Sequence, residues 1–446
     1  MILLLILSWT TPIRVYQSDW TSSKPSIVVD KNYRIHIAWV EYLDYDASRF
    51  IFYSYSDDTG KTWHTTPWAG FIPHKNHFMY PQLCVDSLNT LHMFFESDSH
   101  RDILWQYMDG DTWTDPIDVS LDSNTDSYED IALCDPKGVI WLIWDELYVI
   151  RCRRYKNGVW GDVEDITPYS NYRHPNATID RLGRVHLVYA RVDSERICYR
   201  VYNPVDSMWG PEELIEKTGM AQGFPDVIVD SLNNPYVFFH MASDTIFYTY
   251  RDTNGWRTPE KVINKKEAVN EDLQYAQIDS RGNIHLFLID VEGSAYSSEI
   301  DYIFYNGSGW SEPYEISAGL SGTNLFCDSY ITPDDRLFAA WTRDSTPGID
   351  GYCDIYFSTE NVAGIRKKND GYVNTNKLVF GSSVTLDGKY NDYKGIFMDI
   401  TGRGITESKI MNNRFNLDKR IKSGVYLLLI KKGEHIKKIY KVFVIR

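Results

Sequence analysis

The sequence predicts an all-β chain, a seven-bladed β-propeller followed by a small C-terminal β-sandwich, and three observations predict it. Apolar runs rich in β-branched and aromatic residues, separated by polar turn chemistry, appear first over residues 25–67 and return along most of the 446 residues. The first run of each block ends at one anchor, Asp30, Asp86, Asp135, Asp180, Asp230, Asp279 and Thr332, at spacings of 56, 49, 45, 50, 49 and 53. The last run of each block opens on a tryptophan: Trp63, Trp113, Trp160, Trp209, Trp256 and Trp310. A period near fifty residues, holding about four short strands, is that of a blade that buries its faces only by stacking on its neighbours.

Taken in order, residues 1–8 with the run ILLLIL are a candidate truncated signal peptide. Residues 9–361 form the propeller. Its seventh block ends at Ser358-Thr359-Glu360 without a tryptophan, while Trp9-Thr-Thr-Pro12-Ile-Arg-Val15 parallels Trp113-Thr-Asp-Pro116-Ile-Asp-Val119. Residues 9–15 are therefore expected to close blade 7, which removes exposed sheet edges. Each blade runs through strands A, B, C and D. Antiparallel order puts the A–B and C–D turns on one face of the disc and the B–C and D–A loops on the other. The turns are short and repetitive, as in Asp180-Arg-Leu-Gly183, so function is expected on the loop face. His36, His92, His186 and His285 share one position in strand B and read as structural, whereas His74, His77, His100, His174 and His240 fall in loop-face segments. Residues 362–372 read as a linker and 373–446 as the β-sandwich.

The net charge of −15 hides an asymmetry: residues 363–446 carry +11, which leaves −26 on the rest. So acidic a propeller is unsuited to nucleic acid. No stretch has the length of a transmembrane helix. Six cysteines in so long a chain are not a disulfide framework, and buried packing is expected of them. No acidic or histidine cluster has ligand spacing, so neither metal nor cofactor is expected. Just past strand B lie Glu41, Glu96, Asp145, Glu146, Arg191, His240, Asp290 and Arg343, and the D–A loops add His77, Tyr80, Glu129, Asp130, Arg173, His174 and Tyr275. These are expected to ring the channel mouth. Glu96, Asp145 and Glu146 are acid/base candidates and Arg173, Arg191 and Arg343 candidate grips for a carboxylate. His174, His240, Asp290 and Tyr275 complete the binding set. The alternative is a solvated rim whose charges pair with one another.

Three resemblances extend this reading. Ser56-x-Asp58-x-Gly60-x-Thr62-Trp63 resembles the Asp-box of the sialidase-like propellers, which lies on the face opposite the site. That resemblance implies a glycoside hydrolase with an arginine triad, a tyrosine nucleophile with its glutamate, and an aspartate acid/base. The Arg-Ile-Pro element of those enzymes is absent, and its nearest analogue, Tyr172-Arg173-His174-Pro175, opens the fourth blade instead. Lys75-Asn76-His77, Tyr80-Pro81 and His100-Arg101 resemble loops of seven-bladed polysaccharide lyases acting on uronate polymers, which implies His77 or Tyr80 as proton acceptor. Asp399-Ile-Thr-Gly402-Arg403, Phe415-Asn-Leu-Asp, Ser423-Gly424-Val425-Tyr426-Leu427 and the terminal Lys441-Val-Phe-Val-Ile-Arg446 resemble the sorting domain of type IX secretion cargo. This implies export from a Gram-negative bacterium, release or display at the outer-membrane surface, and the export machinery as a partner. The expected function is that of a monomeric, glycan-interacting propeller that binds or hydrolyses an extracellular glycan or polysaccharide. The alternatives are a non-catalytic adhesion propeller that binds protein, and a uronate polysaccharide lyase.

Overall fold

The computed structural model describes residues 8–42, 49–67, 78–97, 102–121, 127–168, 171–194, 196–215, 222–241, 245–262, 267–268, 275–290, 298–320, 322–344 and 353–361 of the first unit. It describes 375–379, 383–385, 393–399, 404–411, 414–417, 421, 424–432 and 435–444 of the second. The two compact units divide at Asn361 and Val362. Among the described residues there is no helix.

The first unit is a seven-bladed propeller of antiparallel sheets. Its innermost strands, the A strands, are Thr21–Val29, Phe78–Val85, Ser127–Cys134, Tyr172–Ile179, Gln222–Val229, Ala276–Ile278 and Thr323–Ile331. Each contacts the A strand of the next blade, and the last contacts the first, so the ring is closed. Ser8–Trp9 and Ile13–Tyr16 pair with Cys353–Asn361, the third strand of blade 7, so the chain's beginning supplies that blade's outer strand. The Trp9 ring packs edge-on against Phe287 at 5.5 Å, and Thr10 exchanges hydrogen bonds with Ser358 and Thr359. Apolar layers fill the gaps between blades. Ile131, Trp141, Ile143 and Cys152 of blade 3, for example, meet Tyr172, Ala177, Leu187 and Tyr189 of blade 4.

The anchor residues earn their regularity in the A–B turn. The carboxylate of Asp30 accepts the amides of Asn32 and Arg34, and Asp86, Asp135, Asp180, Asp230 and Asp279 each repeat the pair of bonds two and four residues on. In blade 7 the Thr332 hydroxyl accepts the amide of Arg336. Three residues past each anchor the backbone turns left-handed, at Tyr33, Asn89, Gly138, Gly183, Asn233, Gly282 and Asp335. The four repeat histidines face these same turns. His36, His186 and His285 each bond a tyrosine hydroxyl through Nδ1, at 2.6, 2.7 and 2.7 Å, and face their own anchor aspartate through Nε2. His92 takes the Trp105 indole N–H instead.

None of the six cysteines forms a disulfide. In the second unit a five-stranded sheet runs in the order Thr375–Val379, His435–Val444, Gly424–Lys432, Lys394–Asp399 and Gly404–Lys409, beside a two-stranded pair, Ser383–Thr385 with Arg414–Asn416. Phe397, Phe415, Leu428 and Ile430 are central to its core. The proposed linker and the residues 400–403 lie outside the described residues.

Candidate functional site

The A strands do more than line the axis. In six blades their pairing with strand B breaks at the same place, between Ser23 and Ser26, Met79 and Gln82, Tyr128 and Ile131, Arg173 and Asn176, Gly223 and Asp226, and Leu325 and Asp328. Each break is a β-bulge at the loop-face end of the strand. The first bulge residue is left-handed in five of them: Lys24 (φ 53°), Tyr80 (49°), His174 (54°), Phe224 (46°) and Phe326 (51°). Proline follows in four, Pro25, Pro81, Pro175 and Pro225, where the missing N–H leaves no ladder bond unmade. Left-handed backbone costs an L-residue roughly 1–2 kcal/mol, so bulky aromatics in these positions are held there against a local preference.

Their side chains meet across blade boundaries. Lys24 Nζ lies 3.5 Å above the Tyr80 ring and 5.2 Å from that of Phe326, which joins blades 7, 1 and 2. The rings of His174 and Phe224 lie 4.3 Å apart, joining blades 4 and 5, and His240 follows at 6.5 Å from Phe224. All five bulge residues are half-buried. They form an aromatic and basic rim where the innermost strands open onto the loop face.

Below the rim, hydrogen bonds tie neighbouring A strands together. Asp328 accepts the amide of Ile27, Ser26 that of Leu83, and Asp226 those of Tyr275 and Ala276, each bond crossing from one A strand to the next. Gln277 donates to the Ser329 carbonyl. The cavity among blades 7, 1, 2 and 3 holds about 190 Å³ and is lined by Ser26, Gln82, Cys84, Ile131, Cys134 and Asp328 among others. That is room for roughly six waters and below the ~300 Å³ of ordinary ligand pockets.

The structure places the residues singled out from the sequence in different settings. Tyr80 and His174 belong to the rim, and Arg173 is exposed beside it. His77, with His74, His100 and Arg101, lies outside the described residues. Three acids at the ends of strands B are buried: Glu41, Glu96 and Glu146 are 1% exposed. Glu41 accepts from Ser18, Ser22 and Trp39, and burial raises its pKa. Glu146 accepts from Trp144 and pairs with Arg151 at 2.5 Å. Asp145 caps the amide of Tyr148. Arg191 is held by Asp193 at 2.9 Å and Glu212 at 3.5 Å, and Arg343 bonds the Tyr356 hydroxyl, so both guanidinium groups are engaged within the protein. Asp290 is half-buried, with its amide on the Glu299 carbonyl. Tyr275 is fully buried and donates its hydroxyl to the Phe224 carbonyl, so it braces the rim from beneath.

Three rim residues escaped the reading of the sequence, and Asp130, placed by it at the channel mouth, is buried. Lys24, Phe224 and Phe326 were missed, although a proline five positions before the anchor at 25, 81, 175 and 225 signals the bulge. Asp130 stands at that proline position in blade 3. It is 2% exposed, neither carboxylate oxygen has a hydrogen-bond partner among the described residues, and burial pushes its pKa up to about 7. Among the described residues no group of His, Cys, Asp and Glu could hold a metal ion.

No family model and no curated protein matches the sequence. Solved structures do. The chain is similar to a polysaccharide lyase, an ulvan lyase, with a TM-score of 0.56 and 11% identity over 79% of this chain and 98% of that one. It is also similar to a Dyadobacter fermentans protein of unknown function, with a TM-score of 0.51 and 12% identity over 79% and 99%. An α-L-arabinanase from Penicillium chrysogenum aligns at a TM-score of 0.46 and 14% identity over 80% and 100%. At these identities the likeness is one of fold.

Proposed function

We propose that the propeller binds carbohydrate on the loop-face rim, with an acidic sugar as the preferred unit. One observation carries this reading: five half-buried aromatic or basic side chains, Lys24, Tyr80, His174, Phe224 and Phe326, come from one structural position in a backbone conformation that disfavours them. Aromatic faces stack on the apolar faces of pyranose rings, and Lys24 offers a cation to a sugar carboxylate. The fold likeness to an ulvan lyase, solved also with -[GlcA(1-4)Rha3S]- bound, supports an acidic polysaccharide as ligand. The test is a glycan array followed by calorimetry on the whole protein beside Tyr80→Asn and Phe224→Asn. Asparagine tolerates the left-handed backbone, so the variants remove a ring without adding strain. Each is expected to weaken binding about tenfold, equivalent to about 1.4 kcal/mol. A wild-type protein that binds no glycan would overturn the reading and favour a protein-binding propeller.

A second reading, elimination on a uronate polymer, is favoured by the contact of Lys24 with Tyr80: the ammonium would neutralise the uronate carboxylate while the Tyr80 phenolate takes the C5 proton, the C4–O bond breaks to leave a C4–C5 double bond, and the resulting phenol returns the proton to the departing sugar oxygen. Ultraviolet absorbance of the unsaturated product separates turnover from binding. In either case the C-terminal unit, through its resemblance to sorting domains, would deliver the chain to the cell surface, where protease treatment of intact cells should degrade it.

A further inference from the structure

The B–C connection of blade 3 breaks the rules of its own turn type. Glu146 pairs with Val149, which leaves a two-residue loop of Leu147 and Tyr148, and both are left-handed, at φ 50° and 63°. Two positive φ values in a two-residue hairpin define a type I′ turn, whose favoured sequence is Asn-Gly. Here a leucine and a tyrosine occupy it, and they are 54% and 53% exposed, so no buried packing repays the strain. The turn is nonetheless held rigidly. The Tyr148 amide donates to Asp145 Oδ1 at 2.8 Å, and its carbonyl accepts the amides of Asn171 and Tyr172 of blade 4, both at 2.8 Å. Glu146, at the turn's base, is fastened by Trp144 and Arg151. Among the described residues the Tyr148 ring has no aromatic partner.

The position of this turn matters. Tyr172, which it clasps, is followed by exposed Arg173 and then by His174 of the rim, two residues or about 7 Å of strand away. Val192, whose amide donates to Asn171, is 41% exposed beside it. A rigid aromatic face, an exposed guanidinium and the rim thus lie in sequence along the loop face at blades 3 and 4. A chain of sugars leaving the rim between these blades would cross Arg173 and reach the Tyr148 ring. A single terminal sugar on the rim would not.

We propose that the turn of Leu147 and Tyr148 is an outer subsite for an acidic polysaccharide, stacking a sugar further along a chain whose first unit occupies the rim. This rests on the carbohydrate reading above and makes the ligand class a polymer, with Arg173 meeting a carboxylate or sulfate between the two platforms. The strain is retained because the ring is used, in a place fixed before the ligand arrives.

The test replaces the turn by its favoured sequence. The double variant Leu147→Asn, Tyr148→Gly should raise the melting temperature by a few degrees, since it relieves two left-handed bulky residues. Uronate-containing oligosaccharides of graded length, from disaccharide to hexasaccharide, are then titrated by calorimetry into the whole protein. Wild type should bind the hexasaccharide at least tenfold more tightly than the disaccharide. The variant should lose that gain and keep its disaccharide affinity. Tyr148→Asn alone should do the same and guards against an unforeseen effect of the glycine on the hairpin. If both variants keep the full length dependence, or wild type shows none while binding the disaccharide, the subsite does not exist although the rim reading stands. If wild type binds no oligosaccharide of any length, the rim reading fails and the subsite with it.

Discussion

Asp226 sits one bulge below the rim, fully buried, with three backbone amides on its carboxylate: Val227 at 2.7 Å, Ala276 at 2.8 Å and Tyr275 at 3.0 Å. Burial raises its pKa and the amides lower it; burial wins, at about 7. An acid raised in the folded state keeps its proton there while the unfolded chain has lost it. Its contribution to stability is whole below pH ~4 and is lost as pH rises through about 7. Asp226→Asn should therefore flatten the fall in melting temperature between pH 4 and 7, measured by calorimetry against wild type; an unchanged slope would contradict the assignment. Asp180 behaves in the opposite way. Burial would raise it, but His186 and Arg184 hold it well below the carboxylate range, so its contribution is present above pH ~4 and lost in acid. At this scale the repeat histidines were legible because they recur six residues past an anchor. The rim residues Lys24, Phe224 and Phe326 were not. A bulge inserts one residue into a period of two, and parity along the strand then no longer says which face a side chain takes.

The turns show how local chemistry sets an element. In the turn after the third strand of blade 1, Asp58 accepts the amides of Lys61 and Thr62 and the hydroxyls of Ser56 and Thr62. Gly60 takes φ +85°, and Trp63 donates its indole N–H to the Gly60 carbonyl. A Cβ on Gly60 would stand 2.2 Å from the Phe357 ring, part of the strand that the chain's beginning completes. Gly60→Ala thus adds left-handed strain to an overlap that Phe357, fully buried, has little room to relieve. A loss of about 2–4 kcal/mol in denaturant unfolding is expected. A loss under ~0.5 kcal/mol would mean that the turn and blade 7 are not packed in this way. These turns could be read directly, since the bonds that shape each one, such as those of Asp58, join residues at most four apart.

For the whole molecule, stability depends on a closed ring. Strand Cys353–Asn361 would be a bare edge without Ser8–Trp9 and Ile13–Tyr16, and Trp9 covers Phe287 and Tyr302 of blade 6. Deleting residues 8–16 should expose that edge and its apolar neighbours, giving aggregation by light scattering where wild type stays soluble. Trp9→Ala should cost about 3–5 kcal/mol by denaturant unfolding. A deleted protein that remained soluble and equally stable would show that the ring is held by its other blades alone.

Sequence by itself determined the repeat, its seven anchors, the turn chemistry and the face on which loops gather, because each is encoded within a few neighbouring residues or in their spacing. Only the tertiary structure decided which side chains meet. Lys24, Tyr80 and Phe326 are drawn from three blades and His174 and Phe224 from two more, and Glu41, Glu96 and Glu146, which the sequence set at the channel mouth, are buried. Contacts between residues fifty apart depend on how blades stack and where a strand bulges, and neither leaves a mark in local periodicity beyond one recurring proline.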